Sequence, residues 1–171
     1  MQLLLPPSRS VLDGGTAVSG ADAPPLEYYT GTLYKAIDAG SLTPAQRRWA
    51  AEHLAIHTLD GGLVHADRWE PLQSLAAILA AGETILDLRS GEYARKVKLP
   101  AGGWSVRVVS EGDDGRRLAV SHWNKHYKGQ FVGALVRERP RVSTVPGLVR
   151  WANRAGFRLE QVGDRQLEFV V

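Results

Sequence analysis

At 171 residues, with 44% hydrophobic and 23% charged side chains, the chain has the size and balance of one soluble domain with a substantial core. No apolar run reaches the ~18 residues of a spanning helix and no basic-then-apolar leader opens the sequence, so a cytoplasmic setting without a membrane partner is expected. Cysteine is absent, which excludes disulfides, thiolate catalysis and cysteine-held metals, and the net charge of +3 hides an asymmetry: residues 1–85 carry 5 basic and 9 acidic side chains, residues 86–171 carry 16 and 9.

Gln2–Leu5 is a short apolar run stopped by Pro6 and Pro7, and reads as a strand entering a rigid turn. Residues 14–25 are rich in Gly, Ala, Asp and Pro without periodicity, and read as a loop. Tyr28–Tyr34 is short and aromatic, with Gly31 inside it. Thr43-Pro44 has the form of a helix start, leading into AQRRWAAEHLAIHTL, where His53 and His57 share one helical face. Asp60–His65 is a turn-rich break, and Pro71–Ala81 a second helix with Gly82 as its C-cap. Thr84–Leu88 reads as a strand. Trp104–Val109 and Arg117–Val120 read as strands paired across a turn with Gly112 and Gly115. Gln130–Arg139 is a helix stopped by Pro140, Thr144–Ala155 another closed by Gly156, and two short strands around Gly163-Asp164 end the chain. Strands interleaved with helices predict an α+β (mixed α/β) fold, a single domain over residues 1–171 with helices flanking a mixed sheet.

Polar chemistry gathers in three places. Ser121–Gly129, SHWNKHYKG, holds a serine, two histidines, two lysines and two aromatics in nine residues. If it is helical, His122 and His126 share one face while Ser121, Lys125 and Lys128 share its neighbour, so backbone N–H groups and cations can meet an anion together. Arg89–Lys98, RSGEYARKVK, follows a strand. As a ligand loop it offers Ser90 and Tyr93 as donors, Glu92 as a proton acceptor, and Arg95, Lys96 and Lys98 as cations; the competing reading is a helix capped by Ser90. Ser8 and Arg9 end the first strand as a hydroxyl contact and a charge clamp. Neither histidine pair has a third ligand, so no metal is expected, and no cofactor motif is present: the chain has no G-x-S-x-G elbow, phosphate loop or G-x-G-x-x-G.

Five segments in order, LLLPPSR, YYTGTLYKAID, ILDLRSGEYARKV, SHWNKHYKGQFVGALV, and AGFRLE with the terminal LEFVV, resemble the YaaA peroxide-stress proteins. The match covers most of residues 83–171 and fragments of 1–60. It places Pro7, Ser8, Gly31, Tyr34, Ser90, Glu92, Tyr93, Lys96, Ser121, Lys125 and Gly129 on family motif positions, and Lys128 where arginine is usual. The resemblance implies a mixed α/β fold with a helix-hairpin-helix-like element, a cytosolic role in limiting iron-driven oxidative damage, and DNA binding. The chain reads as a shortened, divergent member. The helical region before Tyr28 is reduced, HTLDGGLVHADRWEPL replaces the usual leucine-arginine-proline and proline-tyrosine-arginine stretch, and Arg9-Ser10 replaces the acidic-glycine-lysine that follows PPS.

The expectation is therefore a YaaA-like stress-response protein with a cationic pocket, whose partner is nucleic acid or a small anionic ligand. An enzyme acting on an anionic substrate in the same pocket, and a noncatalytic interaction domain, are the alternatives. The candidate catalytic residues are Ser8, Arg9, Glu92, Tyr93 and Lys125; the candidate ligand-binding residues are Pro7, Tyr34, Ser90, Lys96, Ser121, Lys128 and Gly129.

Overall fold

Strand β1 (Gln2–Leu5) buries every residue but its first, because it lies in the middle of the sheet with partners on both edges. β2 (Leu54–His57) and β4 (Ile85–Asp87) flank it, both parallel to it. β5 (Trp104–Glu111) runs parallel beside β4, and β8 (Gln166–Val170) parallel beside β5. Antiparallel strands close the two sides, β3 (Leu63–His65) on β2 and β7 (Arg158–Gln161) on β8. Val109 of β5 pairs with Val170 on one edge and with Ala119 of β6 (Arg117–Ala119) on the other, so β6 takes over the edge that β4 uses lower down. This computed structural model describes residues 1–12 and 22–171; most of the loop expected at 14–25 lies outside the described residues.

Alternation of side chains along the strands divides the core between the two faces of the sheet. Leu3, Leu5, Leu54, Ile56 and Leu86 pack in the larger cluster. They meet Leu33 and Ile37 of α2 (Thr32–Ile37), Ala50 of α3 (Pro44–His53), Val132 and Leu135 of α6 (Asn124–Glu138), and Leu148 and Trp151 of α7 (Val145–Arg154). Leu4, Ala55 and Ile85 point the other way, onto Leu75 and Ile78 of α4 (Leu75–Ala80). Further along that second face no apolar cover is needed. Arg107, Arg117 and Arg158 pair there with Glu111, Glu160 and Glu168 in a connected ladder across β5, β6, β7 and β8.

The mixed sheet flanked by helices agrees with the α+β expectation, and several boundaries move. The helix after Thr43 is capped as predicted, with a reciprocal Thr43–Gln46 capping box, but it ends at His53. Leu54–His57 is a strand because all four residues are buried between the two helical layers, which a one-sided surface helix cannot achieve. His53 and His57 therefore do not share a helical face. The break at Asp60–His65 ends in β3 after a turn in which Thr58 N–H donates to Gly62 O and Gly61 has φ 103°. The second helix starts at Leu75 rather than Pro71, since the Ser74 hydroxyl caps it by accepting from Ala77 N–H. Gly82, at φ 83°, ends it in the left-handed backbone that glycine tolerates best. RSGEYARKVK contains a helix, α5 (Gly91–Lys96), at whose N-cap the Ser90 side chain makes no capping bond. α6 begins at Asn124 rather than Gln130, so His122 precedes the helix and does not share a helical face with His126. α1 (Pro25–Tyr28) is a single turn. No helix among the described residues is long and apolar enough to cross a membrane.

Candidate functional site

The register Leu3↔Leu86 and Leu4↔Asp87 makes β1 and β4 finish side by side, so Pro6–Ser8 and Arg89–Ser90 leave the sheet from the same edge. In parallel sheets ligands gather at this carboxyl end. Pro6 and Pro7 have no N–H to continue the ladder and force β1 to turn out. Ser8 then tightens the turn, its Oγ accepting from Ser10 N–H at 3.1 Å. The start of α2 presses on this turn. A Cβ at Gly31 would stand 2.2 Å from Ser8 Oγ and would push that hydroxyl off its bond to Ser10, and Tyr34 donates its hydroxyl to Pro6 O at 2.6 Å. Burial pushes the Tyr34 pKa well above its ordinary value, with Tyr29 adding to the rise, so this phenol stays a protonated donor. α6 closes the arrangement. A Cβ at Gly129 would lie 2.3 Å from Leu33 O and 2.7 Å from Ala36 Cβ, which means the backbones of α2 and α6 touch.

These constraints enclose a cleft of about 370 Å³ lined by Pro6–Ser10, Gly31–Tyr34, Ser90, Glu92, Tyr93 and Lys125. Eight of the residues singled out in the sequence line it together: Pro7, Ser8, Arg9, Tyr34, Ser90, Glu92, Tyr93 and Lys125. They come from four separate stretches of chain. Lys96, Ser121, Lys128 and Gly129 lie outside the lining. Lys96 Nζ sits 5.5 Å from the Tyr93 ring centroid, Ser121 is exposed ahead of α6, and Gly129 is the packing contact just described.

Lys128 lies deeper. Its amine is buried and donates to Leu88 O at 2.9 Å. Burial pulls its pKa down to about 8, opposed by the Asp87 carboxylate. Asp87 is itself buried and fully engaged. Its Oδ1 accepts from Arg89 N–H and Nε, both at 2.9 Å, and its Oδ2 accepts from Arg89 Nη2 at 2.8 Å. Arg89 Nη2 also donates to Val97 O at 2.8 Å, while buried Nη1 has no partner among the described residues.

His57, at the end of β2, donates from Nδ1 to Thr58 O at 2.8 Å, which leaves Nε2 as an acceptor, buried and without a partner among the described residues. Its ring lies 5.3 Å from that of Tyr93, linking it to the cleft wall. Burial lowers the His57 pKa, the bond to Thr58 opposes this, and nearby Arg89 and Lys96 lower it further. Sequence reasoning met His57 only as half of a histidine pair without a third ligand, and gave no role to Asp87 or Arg89. The signal for these two was a carboxylate inside the apolar run ILDL with an arginine two residues on, since a buried charge needs a partner within reach. His57 gave none, because the helical reading put it on one face with His53 rather than at the end of a buried strand.

Among the described residues no three His, Asp or Glu side chains converge as metal ligands. Among the described residues the cleft offers one carboxylate (Glu92), two cations (Arg9 and Lys125), hydroxyls from Ser8, Ser10, Thr32 and Ser90, and a phenol (Tyr93).

No protein-family model matches the chain. A UPF0246 protein of Corynebacterium efficiens is 35% identical over 164 residues, covering 83% of this chain and 66% of the relative. The chain belongs to the UPF0246 (YaaA) family. A second UPF0246 protein, from Corynebacterium glutamicum, is 30% identical over 163 residues, covering 81% of this chain and 64% of its own length. One from Streptomyces coelicolor is 30% identical over 164 residues, with 80% and 62% covered. The chain thus spans a little under two thirds of the length of these UPF0246 relatives.

Proposed function

We propose that this UPF0246 protein binds a small anionic ligand, of phosphate or carboxylate type, in the cleft at the carboxyl ends of β1 and β4. The observation that carries the reading is the meeting of Arg9 and Lys125 with four hydroxyl side chains around one concave space. Buried Lys128 and Arg89 against the single carboxylate Asp87 leave one excess positive charge below it. A buried positive charge is weakly screened and favours an anion above it. The cellular setting is that of the YaaA proteins the sequence resembles, a cytosolic response to peroxide. Glu92 and Tyr93 are the groups positioned to exchange a proton with a bound substrate, should the ligand be turned over.

Duplex DNA is the competing occupant. Titrating inorganic phosphate, citrate and duplex DNA against wild type and Arg9→Ala/Lys125→Ala separates the two. Each charge-assisted hydrogen bond to an ion is worth ~1.5–3 kcal/mol, so the double variant loses small-anion affinity by roughly 100-fold or more. Steeply salt-dependent DNA binding abolished by the same variant, with no small-anion binding, sinks the small-ligand reading in favour of DNA. Cells lacking the protein are expected to become more sensitive to hydrogen peroxide. Wild type restores resistance, and the double variant does not.

A further inference from the structure

A second concave site lies at the opposite pole of the sheet, a groove of about 600 Å³ between α3 and the 139–143 connection. α3 contributes Ala45, Arg48, Trp49, Glu52 and His53, which at helical spacing form one face, while Ala50 is its sole buried residue. The facing wall is Arg139–Ser143. His53 Nδ1 contacts Met1 O at 2.8 Å and Thr84 Oγ1 donates to Ser143 O at 3.0 Å, which fixes the groove at the amino ends of β1 and β4, away from the cleft described above.

Unpaired guanidiniums and an indole mark this groove. Arg48, Arg139 and Arg141 all line it, yet none of their side chains makes an ion pair or hydrogen bond with a described residue, whereas Arg47, Arg89, Arg117 and Arg158 are tied to carboxylates. Arg48 leaves even Glu52, its neighbour one turn on, unpaired. Arg139 ends α6 at φ 48°, a left-handed backbone position that Asp38 and Arg165 also adopt and that glycine fills at lower cost. Trp49 also lines the groove, its ring 4.2 Å from that of His53.

Convergent unpaired guanidiniums suit phosphate oxygens, and an indole suits a base face. We propose that this groove binds a nucleoside diphosphate, with its phosphates on Arg48, Arg139 and Arg141 and its base against Trp49. Glu52, the one carboxylate in the lining, suits the ribose hydroxyls. The site is independent of the anion cleft.

The test is calorimetric titration of the full chain carrying Arg9→Ala/Lys125→Ala, which removes small-anion binding at the other cleft, with ADP, inorganic pyrophosphate, adenosine and a short oligothymidylate. ADP binds, and pyrophosphate and adenosine each bind at least ~10-fold more weakly, because each lacks one half of the recognition. Arg139→Gly separates side chain from fold, since the melting temperature holds or rises while ADP affinity drops ~10-fold or more. In the same background Trp49→Leu weakens ADP and leaves pyrophosphate unchanged. The proposal is overturned by any of four results: no ADP binding; pyrophosphate binding as tight as ADP; Arg139→Gly binding ADP like its parent; or oligothymidylate binding ~10-fold tighter than ADP and displacing it, which makes the groove a polynucleotide track.

Discussion

Lys128 is a buried cation whose cost can be measured. A shift from the usual 10.5 to about 8, at ~1.36 kcal/mol per unit, means that the folded state disfavours the charged amine by ~3 kcal/mol relative to the neutral one. The sign follows from proton counting. Between the folded and unfolded values the unfolded chain binds more protons, so stability rises with pH across that window. From about pH 7 to about pH 9.5, Lys128 alone adds about 2 kcal/mol to the unfolding free energy. Higher pH confuses the reading, because the pKa of Tyr34 is raised in the fold. Its stabilisation is complete below the ordinary tyrosine value and is lost as pH rises above it. Lys128→Met keeps the length and apolar stem, removes the charge, and leaves Asp87 its bonds to Arg89. Urea unfolding of both proteins at three pH values across the window gives a difference curve. The wild type should gain about 2 kcal/mol on the variant as pH rises. A flat difference curve would refute the argument, showing that the amine is solvated in the folded protein.

Asp87→Asn leaves the fully buried Arg89 without a carboxylate and should cost ~3–5 kcal/mol in urea unfolding; a loss below ~1 kcal/mol means that Arg89 escapes to solvent. Gly129→Ala places a methyl 2.3 Å from Leu33 O, and the forced separation of α2 from α6 should cost ~1–3 kcal/mol and lower the melting temperature. The Glu111 carboxyl is held down at about 2 by hydrogen bonds first from Arg158 and then from Arg117. Its stabilisation is therefore present above the ordinary glutamate range and lost as pH falls toward about 2. Acid titration of stability should be shallower for Glu111→Gln than for wild type, and an unchanged acid limb means that the ladder contributes nothing.

The strands β1, β4 and β5 and the helix α7 were legible because each is bounded by proline, glycine or a capping residue and shows one clear period. β2 was not. AAEHLAIH satisfies helical spacing, and a strand buried on both faces loses the alternation that would betray it. The start of α6 was hidden by the polarity of NKHYKG, which left a helix there only conditional until Gly129 is seen to be a contact with α2. Eight of the chosen cleft residues were legible through their side-chain chemistry and the resemblance. His57 and the Asp87–Arg89 pair were not, because a buried ion pair announces itself only once a strand is known to carry the carboxylate inward.

The contact between α2 and α6 through Gly129 also bears on how a ligand enters. Two of the cleft walls, Gly31–Tyr34 and Lys125, belong to helices whose backbones touch, and the wall opposite begins with two prolines, the first of which accepts the Tyr34 hydroxyl at its carbonyl. Little ordering is left for the ligand to impose. Occupancy should then follow simple bimolecular kinetics, with an observed rate linear in ligand concentration and no slow phase, and selectivity should reside in dissociation rates.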